Sequence, residues 1–349
     1  MREQPKISEN LLRACLRDQY TLSPLTLEFL PRGLDYDAGV YRVVNEQGTA
    51  YLLKATSRSL DEASCLVPRY LRDQGIPAVV APIPTSLGAL WTRAEEWTVI
   101  VYPFIDGECS LTGMTNAQWK EVGSIFQRIH QVRLPASSGS SSLRKERFDP
   151  TEYTQGIHLF ETQHVQEVGS ASASQRALRS SWKAHQSTIH TAMDHLQQLA
   201  EVLQSRTLPY VICHADLHAR NLIRDPSGHV FVIDWDEVML APKERDFIFL
   251  REPHAEAFFQ GYTGAEVDWR LLTYYLWERV VQDLLYLAHN VCFRDDWTEE
   301  TRVQVAQTFH ESLGPAGSNL RAASLASAYL ASLSSPFPLH PPFSFSGRG

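Results

Sequence analysis

Eight residues, His214-Ala-Asp-Leu-His-Ala-Arg-Asn221, bring together four groups able to bind a metal or move a proton: His214, Asp216, His218 and Asn221. Two chemistries compete for them. A zinc site needs three or four His, Cys or carboxylate ligands at about 2.0–2.3 Å. Only His214 and His218 could supply nitrogen here, with no further His cluster to complete the set. Magnesium asks instead for oxygen, from carboxylates, an amide, waters and substrate phosphates. Asn221 offers an amide oxygen, and Asp234 in the downstream run His229-Val-Phe-Val-Ile-Asp-Trp-Asp-Glu237 offers a carboxylate. With those two on a cation, Asp216 is left to accept a proton from a hydroxyl, the division of labour that phosphoryl transfer uses.

Such a site must be assembled by short elements. Tyr210–His214 reads as a buried strand that feeds the octapeptide, and Asn221–Asp225 with His229–Asp234 reads as a hairpin around Pro226-Ser-Gly228. With the turn centred on Pro226 and Ser227, Arg224 faces His229, Asn221 faces Val232, and Asp234 overhangs beside the octapeptide. That pairing brings Asp216, Asn221 and Asp234 to one end.

Phosphoryl transfer also calls for a strand lysine to hold the nucleotide phosphates and a helix glutamate to hold the lysine. Lys54 sits in the apolar strand Tyr51-Leu-Leu-Lys-Ala55, where a buried ammonium needs an anionic partner. Glu62 follows, and it equally completes a Ser59-x-x-Glu62 capping box, so both readings stay open. Tyr102-Pro103-Phe104-Ile105 would form the hinge against adenine. Pro103 has no N–H, so the donor there is Phe104 or Ile105. The connection Pro31–Gly39, punctuated at Gly33, could fold over phosphates, although it lacks Gly-x-Gly-x-x-Gly and an ordinary hairpin loop is the plainer reading.

Around these residues the chain reads as α+β. Strands at 25–30, 39–44, 50–55 and 98–101 form an antiparallel meander, with a helix from Ser59 that must bend at Pro68. After a boundary at 105/106 the pattern turns helical: Thr115 caps a helix whose Trp119, Val122, Phe126 and Ile129 make one buried stripe, and further helices cover 196–203 and 269–292. The expected organisation is a small antiparallel-sheet lobe over 1–105 and a larger, mainly helical lobe over 106–333. A Ser/Gly-rich loop at 136–142 and a poorly ordered Pro/Ser/Phe-rich tail at 334–349 complete it.

At 349 residues with 44% hydrophobic content the chain can bury two sizeable cores, and its net charge of −8 suits a pocket for cations rather than a nucleic-acid surface. Five scattered cysteines without a Cys-x-x-Cys pair argue against a disulfide framework or structural zinc. Neither a signal peptide nor a membrane-spanning run is legible, and a reducing cytoplasm is the expected location.

The run His214-Ala-Asp-Leu-His-Ala-Arg-Asn221 followed by Val232-Ile-Asp-Trp-Asp236 resembles the catalytic loop and metal-binding motif of the aminoglycoside phosphotransferase family. Val99–Ile105, Gln118-Trp-Lys120, Ala241-Pro-Lys-Glu-Arg-Asp246, Tyr274–Arg279 and Gln282-Asp283 extend the resemblance over roughly residues 25–290. It implies a bilobal, protein-kinase-like fold and a small-molecule kinase using ATP, with GTP an open alternative, and Mg2+. By matching position, Asp216 would orient and deprotonate the acceptor hydroxyl, Asn221 and Asp234 would bind magnesium, and Lys54 would grip the phosphates. His214 would brace the loop backbone. Two departures stand out: Arg220 where relatives carry Gly, and Pro68 in the Glu62 helix.

The acceptors of such enzymes are hydroxylated amines, cationic near neutral pH, so carboxylates are expected around Asp216. The candidates are Asp236, Glu237, Glu278 and Asp283. A metabolic kinase for another amine and a nucleotide-binding pseudokinase are the competing readings. A protein kinase fits less well, since Asp-Phe-Gly and Ala-Pro-Glu elements are missing.

Overall fold

The computed structural model describes residues 5–31, 38–109, 113–134, 143–165, 171–251, 253–264, 266–314, 317–333 and 339–342. Gly33 and the loop at 136–142 lie outside the described residues, as does most of the 334–349 tail.

Five antiparallel strands form one sheet in the order β1-β2-β3-β5-β4: β1 (Pro24–Phe29), β2 (Ala38–Asn45), β3 (Ala50–Thr56), β4 (Thr92–Ala94) and β5 (Trp97–Pro103). Side chains alternate between sheet faces. Leu53 and Ala55 of β3, with Val99 and Val101 of β5, are buried against Leu12 and Leu16 of α1 (Glu9–Tyr20). Lys54, paired in register with Ile100, therefore points to the opposite face. The sequence expectation of strands alone in this region omitted α1, whose Leu12, Cys15, Leu16 and Tyr20 do carry helical spacing.

α2 (Ala63–Asp73) begins later than the Ser59 box predicts. The Asp61 carboxylate accepts from the Ala63 N–H at 3.0 Å, and the Glu62 carbonyl accepts from Cys65 and Leu66, leaving Glu62 as an exposed residue before the first turn. Pro68 forfeits one helical hydrogen bond, yet the helix runs through it, because Val67, Pro68 and Leu71 are buried on one face.

The larger core joins α2 and Ile76–Val79 to α3 (Asn116–Gln131), α5 (Ala173–Ala184), α6 (Gln186–Gln204), α8 (Trp269–Phe293) and α9 (Glu299–Leu313). Thr115 and Gln118 form the expected capping box of α3, and its Trp119, Val122, Phe126 and Ile129 are all buried. Residues 269–292 fall in one unbroken helix, α8. α4 (Thr151–Phe160), α7 (His254–Gly261) and α10 (Ser318–Ser332) pack around this body, which also holds the short strands β6 (Val211–Cys213), β7 (Leu222–Arg224), β8 (Val230–Val232) and β9 (Met239–Ala241).

The hairpin forms, with a register one residue away from the predicted one: Arg224 pairs with Val230 and Leu222 with Val232. The turn has three residues. Asp225 N–H donates to the His229 carbonyl at 3.0 Å, and Gly228 takes φ +89°, a left-handed conformation that a two-residue turn centred on Pro226 and Ser227 does not provide. Ile233 N–H still reaches the Asn221 carbonyl at 3.0 Å, so the end of the hairpin that carries Asn221 and Asp234 survives the shift. β8 is also stitched to the N-terminal part, through Val232 N–H to the Ala78 carbonyl (2.8 Å) and Val80 N–H to the Val232 carbonyl (3.0 Å).

α3 and α7 cross at two glycines. A Cβ on Gly123 would run into the Phe258 carbonyl, and one on Gly261 into the Lys120 carbonyl. Gly123→Ala and Gly261→Ala should each destabilise the protein by about 1–3 kcal/mol, because rigid backbone must move apart. Urea unfolding reads this directly, and an unchanged midpoint would contradict the close crossing.

Candidate active site

β6 delivers the chain to His214, which is fully buried. Its Nε2 lies 2.9 Å from the Ile233 carbonyl, and Nδ1 accepts from the Asp216 N–H at 3.3 Å. The ring packs against Trp235 (4.7 Å between centroids), so it ties the loop to the end of β8. His214 is thus positioned as a brace, as the resemblance implied.

A second brace comes from Asp246, which follows β9 in a short helical turn over Lys243–Phe247. Its carboxylate is wholly buried and accepts from Ala215 N–H at 2.7 Å and His214 N–H at 3.1 Å. His130 of α3 holds the same carboxylate through Nε2 at 2.9 Å and meets the Tyr262 hydroxyl through Nδ1 at 2.8 Å. Ala215 has φ +68°, a strained left-handed conformation for a residue with a Cβ, and the Asp246 bonds to the His214 and Ala215 N–H groups hold the bend. Among the described residues, His130, Cys213 and Asp246 form the one His/Cys/acid grouping close enough to suggest a metal, but this hydrogen bonding already occupies its His and Asp atoms.

The bend presents Asp216. Its Oδ2 lies 3.3 Å from both His218 Nε2 and Asn221 Nδ2, and its Oδ1 lies 3.1 Å from Nη1 of Arg279 on α8. Burial pushes the carboxyl up, but the hydrogen bond and charge of His218 and the charges of Arg279 and His214 outweigh it and hold it down at about 2. Asn221 Nδ2 also donates to the Asp216 carbonyl at 3.0 Å, which commits the amide nitrogen and leaves Oδ1 for a cation.

Asp234 follows β8 with φ +64°. Lys54 Nζ is 3.9 Å from the Asp234 carboxylate and 2.6 Å from that of Asp236. Enclosure raises the Asp234 carboxyl; Lys54 opposes this, and Asp236 and Asp216 add to it by like-charge repulsion. Two carboxylates on one ammonium, Asp234 and Asp236, with the Asn221 amide beside Asp216, make an oxygen-donor set suited to a hard divalent cation. Asp216, Asn221, Asp234 and Lys54, nominated from sequence, are thus gathered in one place.

Other expectations fare differently. Glu62 is exposed ahead of α2, and no ion pair joins it to Lys54; the carboxylate at Lys54 is Asp236, expected instead at the acceptor. Glu237 pairs with Arg144 at 2.8 Å. Glu278 is buried, paired with Arg245 and accepting from the Tyr153 hydroxyl at 3.3 Å. Asp283 pairs with Arg279 at 2.8 Å and accepts from Asn319 at 2.8 Å. Each of the four proposed acceptor carboxylates therefore already carries a cation; for buried Glu278 the surroundings penalise an unpaired charge, whereas Asp236 and Glu237 are exposed and their pairs are screened by solvent. In the hinge, Tyr102 pairs with Leu52 and Pro103 with Tyr51, and the Phe104 N–H faces the Ala50 carbonyl at 3.4 Å. His218 and Arg279, which hold Asp216, were not assigned to it from sequence; the i,i+4 spacing of Arg279 and Asp283 is the available signal for the second.

Residues 28–280, more than half of the chain, match the sequence pattern of the phosphotransferase enzyme family. The chain belongs to that family, and it is a small-molecule kinase of the class that phosphorylates hydroxyl groups. It is similar to the crystal structure of spectinomycin phosphotransferase in complex with ADP and spectinomycin, with TM-score 0.83 and 28% identity over 93% of this chain and 99% of that one. An AMP-bound complex of spectinomycin phosphotransferase gives TM-score 0.76 and 26% identity over 91% and 98%. An amicoumacin kinase bound to AMP-PNP and Ca2+ shares the fold, with TM-score 0.58 and 16% identity over 88% and 93%. No curated protein matches the chain at a significant level. The bilobal, protein-kinase-like fold expected from the motifs is the fold observed. Among the described residues no helix is long and apolar enough to cross a membrane.

Asp246→Ala should cost about 3 kcal/mol, since it orphans two buried N–H groups and His130 while freeing the strained Ala215. Denaturant unfolding measures the loss, and full stability would refute the brace.

Proposed function

We propose that the enzyme transfers the γ-phosphate of ATP, with Mg2+, to a hydroxyl of spectinomycin or a related aminocyclitol, and so confers resistance to it. The observation that carries this reading is the gathering of Asp216, Asn221, Asp234 and Lys54 in one place. Its acceptor is supported by the likeness to a phosphotransferase crystallised with ADP and spectinomycin along nearly all of that chain.

In this reading Lys54 holds the nucleotide phosphates, and Ile105 offers the hinge N–H that Phe104 has turned towards Ala50. Asn221 Oδ1 and the Asp234 carboxylate hold magnesium, which when bound neutralises phosphate charge. Asp216 faces the acceptor hydroxyl. A carboxyl at about 2 is a weak base, so it orients the hydroxyl first and takes the proton late, when bonding to phosphorus has made that proton acidic. The rate then comes mainly from positioning and charge neutralisation.

Coupled ADP release in the presence of spectinomycin should be saturable, and Asp216→Ala should lower it by about 10²–10⁴-fold. Expression in sensitive cells should raise the spectinomycin concentration they tolerate. Unchanged sensitivity, with turnover on another hydroxylated amine, would replace the acceptor and keep the enzyme. A separate expectation concerns charge. Because Asp216 lies near 2 in the folded chain and near about 4 in an unfolded one, its ionised form stabilises the fold above about pH 4, and that contribution fades as pH falls towards 2. Urea unfolding of Asp216→Asn should show a shallower loss of stability across this window than the parent.

A further inference from the structure

Both oxygens of the Asp216 carboxylate are held, and the holders differ in origin. His218 and Asn221, on Oδ2, belong to the same loop as Asp216, whereas Arg279, on Oδ1, reaches across from the middle of α8. Arg279 is itself fixed at two further points. Its Nε lies 2.8 Å from Oδ1 of Asp283, one turn along the helix, an ion pair outside hydrogen-bonding alignment, and its guanidinium stands 5.0 Å over the Phe249 ring. Asp283 in turn accepts from Nδ2 of Asn319 at 2.8 Å, near the start of α10. An unbroken line of contacts therefore runs Asn319, Asp283, Arg279, Asp216.

A guanidinium is suited to this task. Its planar fork presents several donors in fixed directions, so one side chain can bridge two carboxylates while its face rests on a ring. A long side chain held at one end only would lose rotamer freedom each time it met Asp216. Grips from Asp283 and Phe249 remove that freedom beforehand. Arg279 is also partly open, with 29% side-chain exposure, so it borders the cleft rather than filling the core of the helical body.

We propose that Arg279 is a positioning residue for Asp216, and that Asp283 and Asn319 hold Arg279 in place, so that α10 sets the geometry with which the acceptor hydroxyl is received. The proposal rests on the reading of Asp216 as the group facing that hydroxyl. It also gives Asp283 a role other than acceptor binding. Asp283 acts through Arg279.

The test uses the full-length enzyme and compares Arg279→Gln, Arg279→Lys, Asp283→Asn, Asn319→Ala and the Arg279→Gln/Asp283→Asn double variant. With MgATP and spectinomycin, Arg279→Gln should lower kcat by about 10–100-fold, the cost of a misplaced reacting group, and leave KM for ATP within about 2-fold. Arg279→Lys, which keeps the charge but not the fork, should recover part of the loss. Asp283→Asn and Asn319→Ala should lower kcat in the same sense by less, and the double variant should be no worse than Arg279→Gln alone. An unchanged kcat in Arg279→Gln, or losses that multiply in the double variant, would overturn the relay. A urea double-variant cycle between Arg279→Gln and Asp216→Asn reads the contact without any acceptor. Additive midpoint shifts there would also overturn it. Should the parent enzyme show no spectinomycin-dependent turnover, the acceptor assignment fails by itself, and this cycle still decides on the relay.

Discussion

One buried carboxylate holds the catalytic loop in its working shape. Asp246 accepts the backbone N–H groups of His214 and Ala215, and with them in place the chain can make a left-handed bend at a residue that has a Cβ. The direction of Asp216 follows from that bend, and the position of Asn221 follows from Asp216. The carboxylate can stay buried because His130 and Tyr262 continue its hydrogen bonding into α3 and the segment after α7. Those two elements meet closely through Gly123 and Gly261. The geometry of the site is thus underwritten by a helix crossing that touches no substrate.

The same site stores unfavourable charge. Asp234 and Asp236 share Lys54, Asp216 adds its charge against Asp234, and Asp234 adds a second left-handed bend. Local strain and like-charge repulsion of this kind persist where the surrounding fold over-determines the conformation, and they concentrate where a ligand will relieve them. A divalent cation would supply positive charge against these crowded carboxylates. The acceptor side differs. On α8 and beside it Asp283 and Glu278 are neutralised by Arg279 and Arg245, so the helical body presents settled ion pairs where the resemblance implied carboxylates open to a cationic acceptor.

How far the chain was legible depended on the range of the interaction concerned. The octapeptide, the hairpin and the strand bearing Lys54 are local, and spacing alone nominated Asp216, Asn221, Asp234 and Lys54. The α3 capping box and its buried stripe were readable for the same reason. The hairpin register missed by one residue because the choice between a two- and a three-residue turn lies in the conformation of Gly228, which the run Pro-Ser-Gly leaves open. Glu62 was misread because a Ser-x-x-Glu spacing competes with the Asp61 cap two residues later, and Cys65 is buried on the helix that starts there.

The sequence by itself determined the chemistry: which residue types stand at the loop, which strand carries the ammonium, and hence the class of reaction. Tertiary structure alone decided the pairing of charges. Lys54 with Asp236, Arg279 with Asp216 and Asp246 with His214 and Ala215 join segments far apart in the chain, and a carboxylate's role depends on which cation burial leaves within reach. Coulomb attraction in a low-dielectric interior is strong over a few ångströms, and sequence distance does not measure that separation.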